Sequence, residues 1–221
     1  MAGDYYDVLP LARPGNGALA EGGSAEDRPG EGPLALCIGD VAGKGMTAAL
    51  LMSSLQAAVR AVADATTSPA RVCEQVRRVL TPSLAGGRFV TFFYAVLDPA
   101  IGRLAYTNAG HVPPVLVRAD GRVERLEAGG GALARLLAGT PFRDEVTHLV
   151  PGDRLVLVTD GVTEAQDGSG ELFGEERLLE LLRAHRHLAA GALEELLVST
   201  LRAYTVGDPG DDLTLLILAA D

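Results

Sequence analysis

Four acidic residues stand where apolar, strand-like runs begin or end in glycine-rich turns. They are Asp4 in Gly3-Asp4-Tyr5-Tyr6-Asp7, Asp40 in Ile38-Gly39-Asp40-Val41, Asp160 in Val158-Thr159-Asp160-Gly161, and Asp211 in Gly210-Asp211-Asp212-Leu213-Thr214. A carboxylate at such a position is half removed from water, which costs free energy unless a cation or a donor meets it. If the strands are neighbours, the carboxylates converge. A carboxylate cluster without His or Cys selects hard divalent ions, Mg²⁺ or Mn²⁺. Two such ions about 3.5–4 Å apart share a carboxylate and a water, acidify that water into a nucleophile and clamp phosphoryl oxygens during in-line attack. The competing account makes each Asp a turn former or helix cap; it suits any one of them better than all four.

Other chemistries fit less well. Gly39 to Gly45 has the look of a phosphate-binding loop, but one residue is missing before Gly43-Lys44, and Gly45 stands where Ser or Thr would hold magnesium. Lys44 is therefore read as structural or as steering a phosphoprotein by charge. Asp160 to Glu171 lacks the alternating ligands and central Gly of an EF-hand. There is no Gly-x-Ser-x-Gly elbow and no Cys in a phosphate-cradling loop. His111, ending a strand at the Gly110 turn, is the candidate general acid for protonating a leaving oxygen, since imidazole titrates near neutral pH. The competing reading is a structural ring hydrogen-bonded into that turn.

The elements that must position these residues come in blocks. Strand-like runs cover Asp4 to Leu11 and Leu34 to Ile38, separated by a segment rich in Gly, Pro, Glu and Ser that reads as a flexible surface loop over residues 13–33. Helical spacing follows from Thr47 to Ala63 and from Pro69 to about Leu84. The apolar face of the first helix serves either the core or a homodimer surface. The period then changes to that of strands over Phe89 to Leu97, Arg103 to Asn108, Val115 to Arg118 and Val123 to Leu126, an antiparallel meander. Gly129 to Gly139 carries no clear period. Strands at Glu145 to Leu149 and Arg154 to Thr159, helices at Glu175 to Arg186 and Gly191 to Tyr204, and a strand at Leu213 to Leu218 complete an α+β class with antiparallel sheets.

Composition narrows the function classes. The 221 residues carry 19 Lys plus Arg against 29 Asp plus Glu, a net charge of −10, which disfavours nucleic acid as a partner. No apolar run reaches the ~20 residues needed to cross a bilayer, and Met1 to Asp4 shows no basic leader, so the expectation is a cytoplasmic protein without membrane association. The 2 cysteines are too few for a disulfide framework and read as reduced core residues.

Taken in order, Gly3-Asp4-Tyr5-Tyr6-Asp7, the run Ile38 to Gly45 with Ala48-Ala49-Leu50-Leu51-Met52, Thr107-Asn108-Ala109-Gly110-His111, Pro151-Gly152-Asp153 with Thr159 to Ala165, and Asp211 to Leu216 resemble bacterial metal-dependent serine/threonine phosphatases of the SpoIIE and sigma-factor-regulator type, a branch of the protein phosphatase 2C-like superfamily. The resemblance runs nearly end to end and implies one domain over 1–221, a four-layer α/β/β/α sandwich of two antiparallel sheets flanked by helices. It implies two Mn²⁺ or Mg²⁺ ions, with an optional third near Glu164. Asp40 would bridge both ions, the Val41 carbonyl would hold one, Asp160 and Asp211 the other, and Asp4 would be the amino-terminal acidic ligand, bound directly or through water, with Asp212 outside the ligand set. The implied substrate is a phosphoserine or phosphothreonine protein, typically an anti-sigma-factor antagonist, hydrolysed without a covalent phosphoenzyme. Sensor domains commonly precede this fold. The Pro-Leu-Gly element expected within Gly129 to Arg143 is echoed only by Gly139-Thr140-Pro141-Phe142. The alternative is a catalytically weak or inactive module of the same fold that acts by binding a partner.

Overall fold

The computed structural model describes residues 3–12, 32–43, 45–127, 129–206 and 212–220; the expected loop lies outside them except for its last residues. Strands β1 (Asp4–Pro10), β2 (Leu34–Val41), β3 (Phe89–Asp98) and β4 (Arg103–Ala109) lie side by side, each antiparallel to the next. The first face-to-face partner of this sheet begins with β5 (Val115–Val117) and β6 (Val123–Arg125). Short strands β7 (Gly129–Gly130), β8 (Leu133–Ala134) and β9 (Glu145–His148) return to the first sheet, on β4, β3 and β4 respectively, giving it 7 strands. Only the β4–β7 contact is parallel among the described pairs. Strands β10 (Arg154–Val158) and β11 (Leu215–Ala219) complete a 4-stranded sheet in the order β11-β10-β5-β6.

Alternation of side chains across the pleat divides the apolar residues into three cores. Between the sheets, Leu36, Ile38, Phe93, Ala95 and Leu104 meet Leu116, Leu155 and Leu157. On the outer face of the larger sheet, Cys37, Phe92 and Tyr94 pack under α1 (Met46–Val62) and α2 (Pro69–Leu80). On the outer face of the smaller sheet, Val115, Val117, Val156 and Val158 pack under α4 (Gly174–Ala184) and α5 (Ala190–Tyr204), with α3 (Asp160–Thr163) leading into them. The result is the expected α/β/β/α layering. Helix α1 buries Ala48, Leu51, Leu55, Ala58 and Val59, so that face belongs to the core. Helix α2 starts at Pro69, whose fixed φ suits a first turn, and buries Val72, Cys73, Val76 and Leu80. Each fully buried leucine contributes about 2 kcal/mol.

A buried ionic knot holds the end of the sandwich opposite the β1–β2 register described below. Asp153, 0% exposed, accepts hydrogen bonds from Arg118 Nη1 (2.8 Å) and from the backbone N–H groups of Ala119 (3.0 Å) and Val150 (3.1 Å). Arg118 also forks onto Glu124, at 2.8 and 2.7 Å, so one guanidinium joins β5, β6 and the turn before β10. A carboxylate this buried is tolerated because every contact is a charge-assisted bond. Replacing Asp153 by Ala removes one of the two carboxylates that meet Arg118 and leaves two backbone donors unpaired. The expected loss is about 3 kcal/mol, read from urea denaturation midpoints.

Candidate metal centre

The register of the first sheet sets Asp4 directly opposite Asp40, and Asp40 opposite Thr91. Cross-strand partners project to the same face, so the two carboxylates are neighbours by construction. The strands come close here because Gly39 has no side chain: a Cβ would lie 2.7 Å from the Thr91 carbonyl oxygen. Gly3 does the same for the space beside the carboxylates. A Cβ built there would stand 3.2 Å from Asp40 Oδ1, 3.3 Å from the Val41 carbonyl oxygen and 3.7 Å from the Gly43 carbonyl oxygen. Three oxygens thus face one small cradle, closed below by the Val41 N–H bonded to the Gly3 carbonyl (3.2 Å).

The second sheet reaches this cradle through its own strand ends. Thr159, which follows β10 and is fully buried, donates from Oγ1 to Asp4 Oδ2 at 2.8 Å. The same hydroxyl accepts the Thr214 N–H at 3.0 Å, and the Thr159 N–H bonds to the Thr214 carbonyl at 3.1 Å. This pair clasps β10 to the approach of β11 and presents one hydroxyl across the sandwich. Asp160 opens α3 immediately afterwards. Gly161 lets that turn touch the segment that leads into β11: a Cβ would fall 2.0 Å from the Asp212 carbonyl oxygen. Asp212 Oδ2 in turn accepts the Gly3 N–H at 2.8 Å.

The electrostatic consequence falls on Asp4. Burial raises its carboxyl above the usual value, hydrogen bonds from Thr214 and Thr159 pull it down, and the Asp212 and Asp160 charges push it up again. Asp4, Asp160 and Asp212 therefore share one field. A divalent cation among these oxygens would reverse the sign of that repulsion. The donors are carboxylate and carbonyl oxygens, the set that suits Mg²⁺ or Mn²⁺ rather than zinc. Among the described residues, no three His, Cys, Asp or Glu side chains already stand at metal-binding spacing. The fit therefore rests on the cradle's backbone carbonyls as well as on its carboxylates.

Asp211 and Lys44 lie outside the described residues. Glu164 is exposed just after α3, and its N–H bonds to the Asp160 carbonyl at 2.8 Å. The surroundings of His111 favour the structural reading of the ring over the general-acid one. The residue is 4% exposed, its Nδ1 lies 2.9 Å from Thr91 Oγ1, and its N–H and C=O are both bonded to the Asn108 side-chain amide, at 2.7 and 3.1 Å. Burial pushes the imidazole down to about 4, which disfavours the imidazolium form that a general acid needs near pH 7. It props the Thr91 side chain, whose hydroxyl reaches the Asp40 carbonyl at 3.5 Å.

Comparison with known proteins meets this geometry at the family level. Residues 30–221 match the family model described as Stage II sporulation protein E (SpoIIE). The chain belongs to the SpoIIE family. It is 30% identical over 219 residues to the phosphoserine phosphatase RsbU of Bacillus subtilis, covering 99% of this chain and 59% of that protein. It is 29% identical over 213 residues to protein IcfG of Synechocystis, covering 84% of this chain and 30% of that protein. The chain thus spans less than two thirds of the length of these curated relatives. Among solved structures, the RsbU and RsbW domains of Rv1364c from Mycobacterium tuberculosis superpose with a TM-score of 0.74 at 28% identity, over 98% of this chain and 56% of that one. The SiaA-PP2C domain of Pseudomonas aeruginosa superposes with a TM-score of 0.77 at 22% identity, over 100% of this chain and 81% of that one. The SpoIIE-family fold is PP2C-like.

Thr91, Thr159 and Thr214 are the site residues that sequence reasoning missed. For Thr159 and Thr214 the signal was present, since each is within two residues of an acidic turn in an otherwise aliphatic strand end. The structural role of His111 has a measurable sign. Its folded-state pKa lies below the unfolded value, so the unfolded chain takes up the proton first and stability falls as pH drops from 6.5 toward 4. The contribution is up to about 1.4 kcal/mol per pH unit. Asp4, with its raised pKa, acts in the opposite sense at lower pH. Urea midpoints between pH 7 and 5.5 are expected to fall less steeply for His111→Asn than for the unaltered chain.

Proposed function

We propose that this SpoIIE-family chain is a metal-dependent phosphatase that hydrolyses phosphoserine or phosphothreonine on a regulatory protein, by direct attack of water. The observation that carries the reading is the convergence of Asp4 and Asp40 with the Val41 and Gly43 carbonyls and the Asp160 turn at one end of the sandwich. In this reading Asp40, the Val41 carbonyl, Asp160, Asp211 and Asp4 would hold the ions, with Asp40 common to both. Mn²⁺ or Mg²⁺ bound there supplies an acidified water and neutralises phosphoryl charge. A solved structure of RsbX, alike in fold at a TM-score of 0.65, is in complex with magnesium.

The chain's own residues do the positioning. Thr159 and Thr214 together hold the Asp4 carboxylate at the edge of the cradle. The Gly3 N–H fixes Asp212 so that its charge bears on Asp4. Neither thiol offers a covalent route: Cys37 and Cys73 are buried, and burial pushes Cys37 up to about 12, far from a thiolate at neutral pH. The substrate class is supported by relatives named phosphoserine phosphatase RsbU and RsbP, and the partner proposed is an anti-sigma-factor antagonist. No helix among the described residues is long and apolar enough to cross a membrane, which accords with the proposed cytoplasmic location. Exposed Met46 and Leu50 on α1 offer the apolar surface for the proposed homodimer.

Asp40→Asn and Asp160→Asn keep side-chain shape while removing a charge, as does Asp211→Asn. Each is expected to lower Mn²⁺-dependent phosphate release from an aryl phosphate by about 100-fold. Asp167→Asn, in an exposed surface turn, controls for net charge and is expected to leave the rate unchanged. Near-normal turnover of any of the three at saturating Mn²⁺ would remove that residue from the ligand set.

A further inference from the structure

A groove of about 820 Å³ opens beside the candidate metal centre, between the start of β3 and the β8 turn. Its walls include Leu84, Arg88, Phe89, Arg135, Leu136 and Leu137. Phe89 is 41% and Leu136 93% exposed, so apolar surface faces water on both walls. Arg88 and Arg135 are exposed as well, and Arg135 forms no ion pair among the described residues. No acidic residue is among the described residues that line the groove. In a chain of net charge −10, this is a local reversal of sign.

The groove is built rather than loose. Arg77, 3% exposed on α2, donates to the Leu137 carbonyl and, at 2.8 Å, to the Thr140 carbonyl, and it lies 4.6 Å from the Phe142 ring centre. That buried cation pins the outer wall. One wall of the groove is tied to the site through the backbone. The Phe89 carbonyl accepts the Ala42 N–H at 3.0 Å, within the stretch whose Val41 and Gly43 carbonyls face the cradle. Phe89 precedes Thr91, the register partner of Asp40, by two residues, or about 7 Å along the strand.

Resting on the phosphatase reading above, we propose that this groove docks an acidic, leucine-containing segment of the phosphoprotein within a few residues of the phosphorylated side chain. Arg88 and Arg135 pair with its carboxylates, and Phe89 and Leu136 cover its apolar side chain. An extended chain advances about 3.3 Å per residue, so the distance from Asp40's partner to Phe89 corresponds to positions two or more residues from the phosphoserine. Guanidinium forks match carboxylates in pairs, and charge complementarity of this kind sets selectivity more than raw affinity.

The test compares phosphoserine peptides carrying Glu and Leu, Ala alone, or Lys and Leu two to four residues from the phosphoserine, with the full chain and Mn²⁺. The unaltered protein is expected to favour the Glu peptide over the Ala peptide by about ten-fold in kcat/KM. The Arg88→Glu/Arg135→Glu double variant is expected to lose that ratio and to gain on the Lys peptide. An equal ratio in the unaltered protein, survival of the preference in the double variant, or one uniform loss across all peptides would overturn the proposal. Hydrolysis of an aryl phosphate by the unaltered chain keeps the two readings apart. If that fails, the phosphatase reading falls, and the groove is tested by fluorescence anisotropy with an unphosphorylated, fluorescein-labelled Glu/Leu peptide. Weakening by about ten-fold in the double variant then supports docking, and equal binding overturns it.

Discussion

Like charges resist being gathered, and the end of this sandwich gathers them. Asp4 and Asp40 are forced together by strand register, and Asp160 and Asp212 are brought up by the second sheet. The fold spends several backbone devices on holding that arrangement. Gly39 and Gly161 permit approaches that any Cβ would block, and Gly3 leaves open the space where three oxygens meet. Thr159 sets one hydroxyl between the sheets to steady Asp4. A carboxylate cluster that needs this much support is costly unless a cation completes it.

Two buried polar knots keep the sheets in the relation that the cluster requires. Asp153 and Arg118 lock the end of β5 to the turn before β10. Asn108 and His111 close the turn after β4 and prop Thr91 behind Asp40. Neither group touches the oxygen cradle itself. Both act by fixing backbone, so their loss would be felt first as stability and only then as chemistry.

The layering was legible because the period of the sequence changes cleanly from helix to strand at Phe89, and because residues such as Ile38, Phe93 and Leu155 alternate with a second apolar set facing helices. The segment after Leu126 was not legible. Strands β7 and β8 have two residues each and the following turn three, too short to show a period. Their placement depends on contacts distant in sequence: a Cβ on Gly129 would strike the Asn108 carbonyl at 2.1 Å, and Arg77 holds the wall from another layer. At the site, strand-end carboxylates announced themselves by type and setting. His111 did not, since its distance from the carboxylates and its burial are properties of packing that a Gly-His turn leaves open.

The proposed chemistry requires that the oxygen cradle take up a divalent cation. Isothermal titration of the full chain with MnCl₂, beside the Asp4→Asn and Asp40→Asn variants, measures this without reference to any substrate. Saturable Mn²⁺ binding that weakens in both variants, accompanied by a rise in melting temperature in the unaltered chain, is the expected result. Absence of binding at millimolar Mn²⁺, or binding indifferent to both substitutions, would contradict it.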